Sequence, residues 1–221
     1  MGKTMTERHA LILVAHADDE TLGVGGTMPK LLRAGWRVEV VILSNGVLTV
    51  RGRTEDNRED AVRACEILGA APPRFLGFDD QYFDREPVAD LANAVMALDL
   101  APDLIVTHVE TDLNQDHRIT CEVAKIVGRP KRKPVAIMGC EIPGTTQWNG
   151  RQFEANHYVD ITDGIERKIE AFLQYRNEVQ DDSQPWSAAG LRALARYHGL
   201  QSGVEYAEAF HVIRGFEGLL P

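Results

Sequence analysis

The stretch LILVAHADDETLGVGG, residues 11–26, joins an apolar run directly to a group of charged side chains. The run covers residues 9–16, and a short, continuously apolar segment of this kind predicts a strand buried on both faces, as in a parallel sheet. It ends at His16, and three carboxylates follow at positions 18–20. Carboxylates this close repel one another, so the sequence requires a group that compensates their charge.

Strands and helices alternate along the chain after this run. Further strands are predicted at residues 37–44, 73–78, 102–108 and 134–141. Amphipathic helices are predicted between them at residues 27–35, 55–70, 87–100 and 118–128. The segment NGVLTVRGRTED, residues 45–56, is expected to form a loop. The alternation predicts an α/β fold, with a Rossmann-like, mostly parallel sheet and helices on both faces.

The pattern changes after residue 150. A strand, two helices and a closing strand are predicted there at residues 157–162, 163–178, 187–199 and 207–214. We expect these elements to add to the same domain, so that residues 1–221 form one domain. Its βαβ core would cover residues 1–140, and residues 141–221 would be a C-terminal extension.

Composition and charge limit the class of partner. The chain has 221 residues and a formal net charge of −9, whereas a nucleic-acid binder usually carries a basic patch or a high pI. Three scattered cysteines predict neither a disulfide framework nor a Cys-rich zinc site, and Cys65 and Cys121 are expected to be small core residues. No secretory leader and no membrane helix are predicted. We expect a reduced, cytoplasmic protein without nucleic-acid or membrane partners, and a homo-oligomer is compatible with the sequence.

Chemically active side chains follow two of the predicted strands. Ligands in open α/β sheets bind beyond the carboxyl ends of the strands. The first strand brings His16 there, and the fourth strand brings His108. The loops after these strands add four carboxylates, an amide and an imidazole: Asp18, Asp19, Asp112, Asn114, Asp116 and His117. If the two strands are neighbours, as in the order 3-2-1-4-5, the two clusters face each other.

A divalent cation would compensate the crowded carboxylates. Two histidines and one carboxylate are a zinc ligand set that leaves a position open for water, and a second carboxylate can stay free as a base. The alternative is that the acidic residues only favour the start of a helix. That alternative explains Asp19 or Glu20, but it does not explain a second His/Asp cluster at another strand end.

Four segments resemble one known family. AHADDE at residues 15–20 resembles the AHPDDE motif of the LmbE-like, or PIG-L-like, zinc-dependent N-deacetylases, and TDLNQDHR at residues 111–118 resembles their second motif. NREDAVRACEILG at residues 57–69 and YAEAFHVIR at residues 206–214 resemble a helix and the C-terminal signature of that family. The resemblance implies an LmbE-like fold and a hydrolase that removes an N-acetyl or small N-acyl group from an amino sugar or sugar conjugate.

The resemblance also implies roles for individual residues. His16, Asp19 and His117 would bind Zn²⁺, with another divalent cation such as Fe²⁺ as the alternative. Metal-bound water would be the nucleophile, and Asp18 would act first as general base and then as general acid. Asp116 would orient a neighbouring histidine.

Two positions depart from the family pattern. Ala17 stands where the first motif usually has proline, and Asn114 stands where some members have a histidine that helps to stabilise the oxyanion. Asn114 can donate a neutral hydrogen bond to an oxyanion but supplies no charge. We expect His108 to take over part of this catalytic role from the strand end.

Substrate contacts are expected from Arg58, Asp80 and Glu208. Arg58 is equally explained as a solvated residue in a helical turn, and Asp80 as a polar loop residue; Glu208 lies near the site by the resemblance. Two other functions stay open. One is a metal-dependent amidohydrolase acting on a non-sugar N-acyl amine. The other is a metal-stabilised binding protein with weakened catalysis, which the asparagine at position 114 keeps open.

Overall fold

The structure, a computed structural model, describes residues 7–50, 53–131 and 133–221. Within these ranges the strands are β1 (His9–Val14), β2 (Arg37–Ser44), β3 (Val47–Val50), β4 (Arg53–Asp56), β5 (Arg74–Phe78), β6 (Leu104–Thr107), β7 (Ala136–Cys140), β8 (His157–Asp160) and β9 (Ala207–Arg214). The helices are α1 (Asp19–Val24), α2 (Thr27–Arg33), α3 (Arg58–Leu68), α4 (Val88–Met96), α5 (Gln115–Val127), α6 (Ile165–Phe172) and α7 (Ala188–Ser202).

Seven strands form one sheet in the order β5-β2-β1-β6-β7-β9-β8. β5, β2, β1, β6 and β7 are parallel, whereas β9 is antiparallel to both β7 and β8. The five strands predicted from the N-terminal part therefore lie in the order 3-2-1-4-5, and the predicted α/β fold with a mostly parallel sheet is confirmed. β9 and β8 continue the same sheet beyond β7.

The apolar run that opens the chain lies at the centre of this sheet. All six residues of β1 are buried. Successive side chains of a strand point to opposite faces, so Ile12 packs with the cluster formed by α1, α2, α3, α6 and α7. Leu11 and Leu13 pack with the cluster formed by α4 and α5 on the other face. Burial on both faces explains why every residue from Ala10 to Ala15 is apolar.

The segment after β2 corrects the prediction of a loop at residues 45–56. β3 and β4 pair as an antiparallel hairpin, with Leu48 opposite Glu55. The prediction was wrong because Val47 and Thr49 are β-branched residues that favour extended backbone, and glycines on either side masked this short pattern. Arg51 and Gly52, between the two strands, lie outside the described residues.

One smaller expectation is also met by the fold. Cys65 and Cys121 are buried and free, as predicted for small core residues. Among the helices that the structure describes, none has the length and apolar character needed to cross a membrane.

Candidate active site

A pocket opens at the carboxyl ends of β1 and β6, where α1 and α5 begin. Its volume is about 80 Å³. Because β1 and β6 are adjacent in the sheet, the loops that follow them meet at this edge. His16, Asp18 and Asp19 come from the first loop and His117 from the start of α5, and all four line the pocket.

Three side chains converge in this pocket as a candidate metal site. His16 Nδ1 lies 3.3 Å from His117 Nε2, although 101 positions separate the two residues. Asp19 Oδ1 lies 3.3 Å from His117 Nε2, and Asp19 Oδ2 lies 3.5 Å from His16 Nδ1. All three donor atoms are within 4.8 Å of one another, and all three residues are buried. Two imidazole nitrogens and one carboxylate oxygen at this spacing fit a divalent transition-metal ion.

Asp18 reaches the pocket through an uncommon backbone conformation. Its φ is 123°, which is sterically disfavoured for a residue with a Cβ. Its carbonyl accepts hydrogen bonds from the N–H groups of Thr21 and Leu22, so the same turn also starts α1. Burial, followed by the negative charge of Asp19, raises the pKa of Asp18 well above its ordinary value. A bound cation would offset the cost of burying these negative charges, and it would thereby compensate the three adjacent carboxylates at positions 18–20.

Glu20 holds the Asp18 turn from behind. Glu20 Oε2 accepts a hydrogen bond from the Asp18 backbone N–H at 3.1 Å. Its other oxygen accepts from the hydroxyl groups of Thr21, at 2.6 Å, and Tyr175, at 2.5 Å. Nothing in the sequence indicated Tyr175, because it lies 155 positions from Glu20 and reaches it only in the folded chain.

Each histidine of the candidate metal site has a second carboxylate against its outer ring nitrogen. Asp116 Oδ2 lies 3.1 Å from His16 Nε2, and Asp112 Oδ1 lies 3.2 Å from His117 Nδ1. Asp112 is itself fixed by the Thr146 hydroxyl group, which donates to Asp112 Oδ2 at 2.8 Å. Carboxylates in these positions fix the orientation of metal-binding imidazoles. The sequence analysis assigned this role to Asp116 and did not assign it to Asp112.

The carboxylates also control the charge of the two histidines. Burial opposes the charged form of His117, but Asp19 and Asp112 outweigh it and raise the pKa to about 9. Burial opposes the charged form of His16 as well, yet Asp80, Asp116 and Asp19 raise its pKa well above the ordinary value. The site therefore attracts positive charge, as protons or as a metal ion.

His108, which the sequence predicts to act at the oxyanion, lies behind the pocket and is not among the residues that line it. The residue is fully buried, and its ring stacks on that of His117 with the centroids 3.9 Å apart. His108 Nε2 accepts a hydrogen bond from the Ala15 backbone N–H at 3.0 Å. This nitrogen also lies 3.3 Å from Asp19 Oδ2, so the structure places His108 against a candidate metal ligand and outside the pocket lining.

Arg58, which is expected from the sequence to contact the substrate, also lies outside the pocket lining. Its guanidinium pairs with Asp56 at 2.5 Å, and about half of its side chain, 54%, is exposed. The preceding residue, Asn57, lines the pocket instead. A local ion pair holds the Arg58 side chain at the surface of the first turn of α3, so the structure does not bring this predicted substrate contact into the pocket lining.

Glu208 has a structural role in place of the expected substrate contact. Its carboxylate accepts hydrogen bonds from the N–H groups of Gly26 and Thr27, each at 2.8 Å, and pairs with Lys168 Nζ at 2.6 Å. The side chain is 5% exposed and does not line the pocket. Its oxygens are occupied by buried donors, and through them Glu208 holds the start of α2.

Asp80 and Asn114, which are predicted to contact the substrate and to assist catalysis, both line the pocket. Asp80 lines it, with Oδ1 3.6 Å from His16 Nε2. Asn114 lines it as well, and its side chain accepts from the Asp116 N–H at 2.9 Å and donates to Gln81 at 3.4 Å. Gln81, Glu178 and Trp186 also line the pocket, and the sequence analysis did not find them. They sit in segments without a motif, so only the fold brings them to the site.

Comparison with known proteins shows the family of this chain. A family model described as PIG-L, GlcNAc-PI de-N-acetylase, matches residues 11–127, which is more than half of the chain. The chain belongs to the PIG-L family. The matched segment contains both halves of the candidate metal site, and the predicted family resemblance is confirmed.

Named relatives of this PIG-L protein include two deacetylases. Diacetylchitobiose deacetylase of Thermococcus kodakarensis is 26% identical, over 94% of this chain and 84% of its own. A probable N-acetyl-alpha-D-glucosaminyl L-malate deacetylase 2 of Bacillus cereus is 32% identical, over 79% of this chain and 85% of its own. With the family match, these relatives place the chain among the metal-dependent N-deacetylases, which are hydrolases of amide C–N bonds.

The same fold also carries other chemistry. The crystal structure of a 4-carboxy-2-hydroxymuconate hydratase from Pseudomonas putida superimposes with a TM-score of 0.70, covering 96% of this PIG-L chain and 100% of that one. At 23% identity this likeness concerns the fold alone. The reaction must therefore be argued from the side chains in the pocket.

Proposed function

We propose that this protein hydrolyses the N-acetyl, or another small N-acyl, group of an amino sugar or sugar conjugate. One observation carries the proposal. Three metal-binding donor atoms lie within 4.8 Å of one another, and Asp18 lines the same pocket without belonging to that set. A metal site with a free carboxylate beside it is the arrangement that hydrolysis of an amide by water requires.

His16, Asp19 and His117 would hold the ion, for which Zn²⁺ is the best fit to the donor set and Fe²⁺ an alternative. When bound, such an ion supplies positive charge that acidifies water and polarises the amide carbonyl. Asp112 and Asp116 keep the two imidazoles oriented through their outer ring nitrogens.

Asp18 moves the proton in this scheme. Its carboxylate takes a proton from the attacking water as the new C–O bond forms at the acyl carbon. It then gives that proton to the amine nitrogen as the C–N bond breaks, so that the products are a carboxylic acid and a free amine. The Asn114 side-chain amide faces the same pocket and would donate a neutral hydrogen bond to the developing oxyanion.

The proposal is tested by metal analysis combined with assays of acetate release. The purified protein is expected to contain about one divalent ion per chain. Chelation should abolish acetate release from N-acetyl sugars, and added Zn²⁺ or Fe²⁺ should restore it, because the nucleophile depends on the ion. A chain without stoichiometric metal, whose activity is indifferent to chelation, would contradict the proposal.

Two alternatives are separated by a substrate panel in which free amine is measured. Preferential release from a non-sugar N-acyl amine would identify an amidohydrolase of another substrate class. Metal and sugar binding without turnover on any member would identify a binding protein, for which the neutral Asn114 is the supporting feature.

A further inference from the structure

Carboxylates dominate the charge of the candidate active site. Four of them line the pocket: Asp18, Asp19, Asp80 and Glu178. Among the residues that the structure describes, no lysine or arginine side chain lines it. When all four carboxylates are ionised, a divalent ion compensates two of their negative charges, and the filled pocket then keeps a net negative charge.

Glu178 is the carboxylate of this group that lies outside the metal site and its immediate contacts. It follows α6, and its Oε1 accepts a hydrogen bond from Asn57 Nδ2 at 3.0 Å. That partner is neutral, and within the described residues Glu178 has no salt bridge. Burial, together with the charges of Glu55 and Asp80, raises the pKa of Glu178. A half-buried carboxylate with one oxygen left without a protein donor gains from a ligand that supplies a hydrogen-bond donor.

We propose that Glu178 makes the pocket selective for neutral or positively charged acetamido sugars, and against sugars that carry a carboxylate or phosphate next to the reacting amide. Hydroxyl and ammonium groups can donate hydrogen bonds to Glu178, whereas an anionic group meets its charge in a partly desolvated pocket. This inference rests on the proposed function, because it concerns the substrate of the same site.

The two deacetylase relatives are named for substrates that differ in charge. Diacetylchitobiose is a neutral sugar, whereas a glucosaminyl L-malate conjugate carries two carboxylates. We therefore expect this protein to act on neutral saccharides of the first kind. The free amine formed by deacetylation is a cation, so the product should bind at least as well as the neutral substrate.

A matched series of glycosides tests the inference. Three glycosides of N-acetylglucosamine, with short aglycones of equal length that end in an ammonium, a hydroxyl or a carboxylate group, are compared with the metal-loaded protein. Acetate release gives kcat/KM, and calorimetry gives affinity independently of turnover. For an assumed separation of about 8 Å between the aglycone carboxylate and the Glu178 carboxylate, Coulomb's law predicts a kcat/KM roughly 2- to 30-fold lower for the carboxylate glycoside than for the hydroxyl glycoside. Added salt should narrow this ratio of kcat/KM values.

Glu178→Gln removes the charge and keeps an oxygen that can accept from Asn57. It is expected to bring the carboxylate and hydroxyl glycosides to within about twofold of each other, whereas Glu178→Asp should keep the preference because it keeps the charge. Glu170→Gln is the control, since it removes the same charge from an exposed position on α6. It should leave the ratio of the wild-type protein unchanged.

The outcomes separate this inference from the proposed function. If acetate is released and the carboxylate glycoside performs as well as the hydroxyl glycoside, the charge inference is overturned and the deacetylase proposal stands. If no glycoside releases acetate but affinities follow charge and flatten in Glu178→Gln, the deacetylase proposal fails and the charge inference stands. An unchanged ratio in a folded Glu178→Gln variant would also overturn the role of Glu178.

Discussion

At the scale of single residues, Asp18 is the group that would move the proton in the proposed reaction. Its position depends on a backbone φ of 123° and on the hydrogen bond from its N–H to Glu20. Tyr175, which follows the C-terminal end of α6, in turn fixes Glu20 by donating a hydrogen bond from its hydroxyl group. The proposed base, Asp18, is therefore positioned by a buried hydrogen-bond network as well as by the residues of its own motif. Such a network can hold a side chain of a short loop in one geometry.

Asp18→Asn is expected to lower kcat by roughly 10²- to 10⁴-fold, because the amide cannot accept the proton from water. Asparagine is the suitable replacement, since it tolerates positive φ better than alanine. Metal content and melting temperature should not fall, because Asp18 is not in the candidate ligand set and its buried charge is unfavourable. Metal analysis, thermal unfolding and single-turnover kinetics check these points. Retention of full activity would contradict the role of Asp18, and Asp84→Asn serves as the control.

At the scale of elements, the start of α2 depends on a contact from the far end of the chain. Glu208 of β9 accepts from the first N–H groups of this helix and pairs with Lys168 of α6. One buried carboxylate thus joins a helix start, a second helix and an antiparallel strand. Acidic groups also favour the positive end of a helix, so the contact is favourable for its charge as well.

Glu208→Gln is expected to destabilise the protein by about 3–5 kcal/mol, because it leaves the Lys168 ammonium buried without a counter-charge. Denaturant unfolding measures this change. The control is Glu166→Gln, which breaks a more exposed pair with Arg192 and should cost less than about 1 kcal/mol. The KM of the Glu208→Gln variant should be unchanged at temperatures where it is folded. A higher KM in a fully stable variant would return Glu208 to substrate binding.

At the scale of the whole molecule, the candidate metal site links two distant parts of the chain. His16 and Asp19 follow β1, and His117 lies in α5, so an ion held between them ties together both loops at the carboxyl edge of the sheet. Binding that requires the folded chain stabilises it. A bound cation would also relieve the repulsion among the buried carboxylates, which would stabilise the folded chain further.

Added Zn²⁺ is therefore expected to stabilise the metal-free protein by about 2.7 kcal/mol at an ion concentration 100-fold above its Kd. For a chain of 221 residues this corresponds to a rise in Tm of roughly 5–10 °C. Differential scanning calorimetry of the chelated and reloaded protein measures it. Asp19→Asn should remove most of the shift, while Asp84→Asn should keep it. An equal shift in both variants would place the ion elsewhere.

The sequence predicted the sheet well because its signals are local. A continuous apolar run such as residues 9–16 fits a strand buried on both faces, and helices between such runs fix a parallel order. It failed at residues 45–56, where a four-residue strand gives too short a pattern between glycines. It also gave no information on the orientation of His108, because a position at a strand end does not tell which way the side chain points.

By itself the sequence determined the α/β fold, because periodicity is a property of neighbouring positions. It also carries two motifs whose resemblance to a known family implies His16, Asp19 and His117 as candidate ligands. Only the tertiary structure decided which side chains share the pocket. It brought Glu178 into the pocket lining and Tyr175 against Glu20 behind the pocket, and it kept His108, Arg58 and Glu208 out of the lining. The physical reason is that hydrogen-bond partners and burial are set by packing between elements far apart in the chain, and no local pattern encodes them.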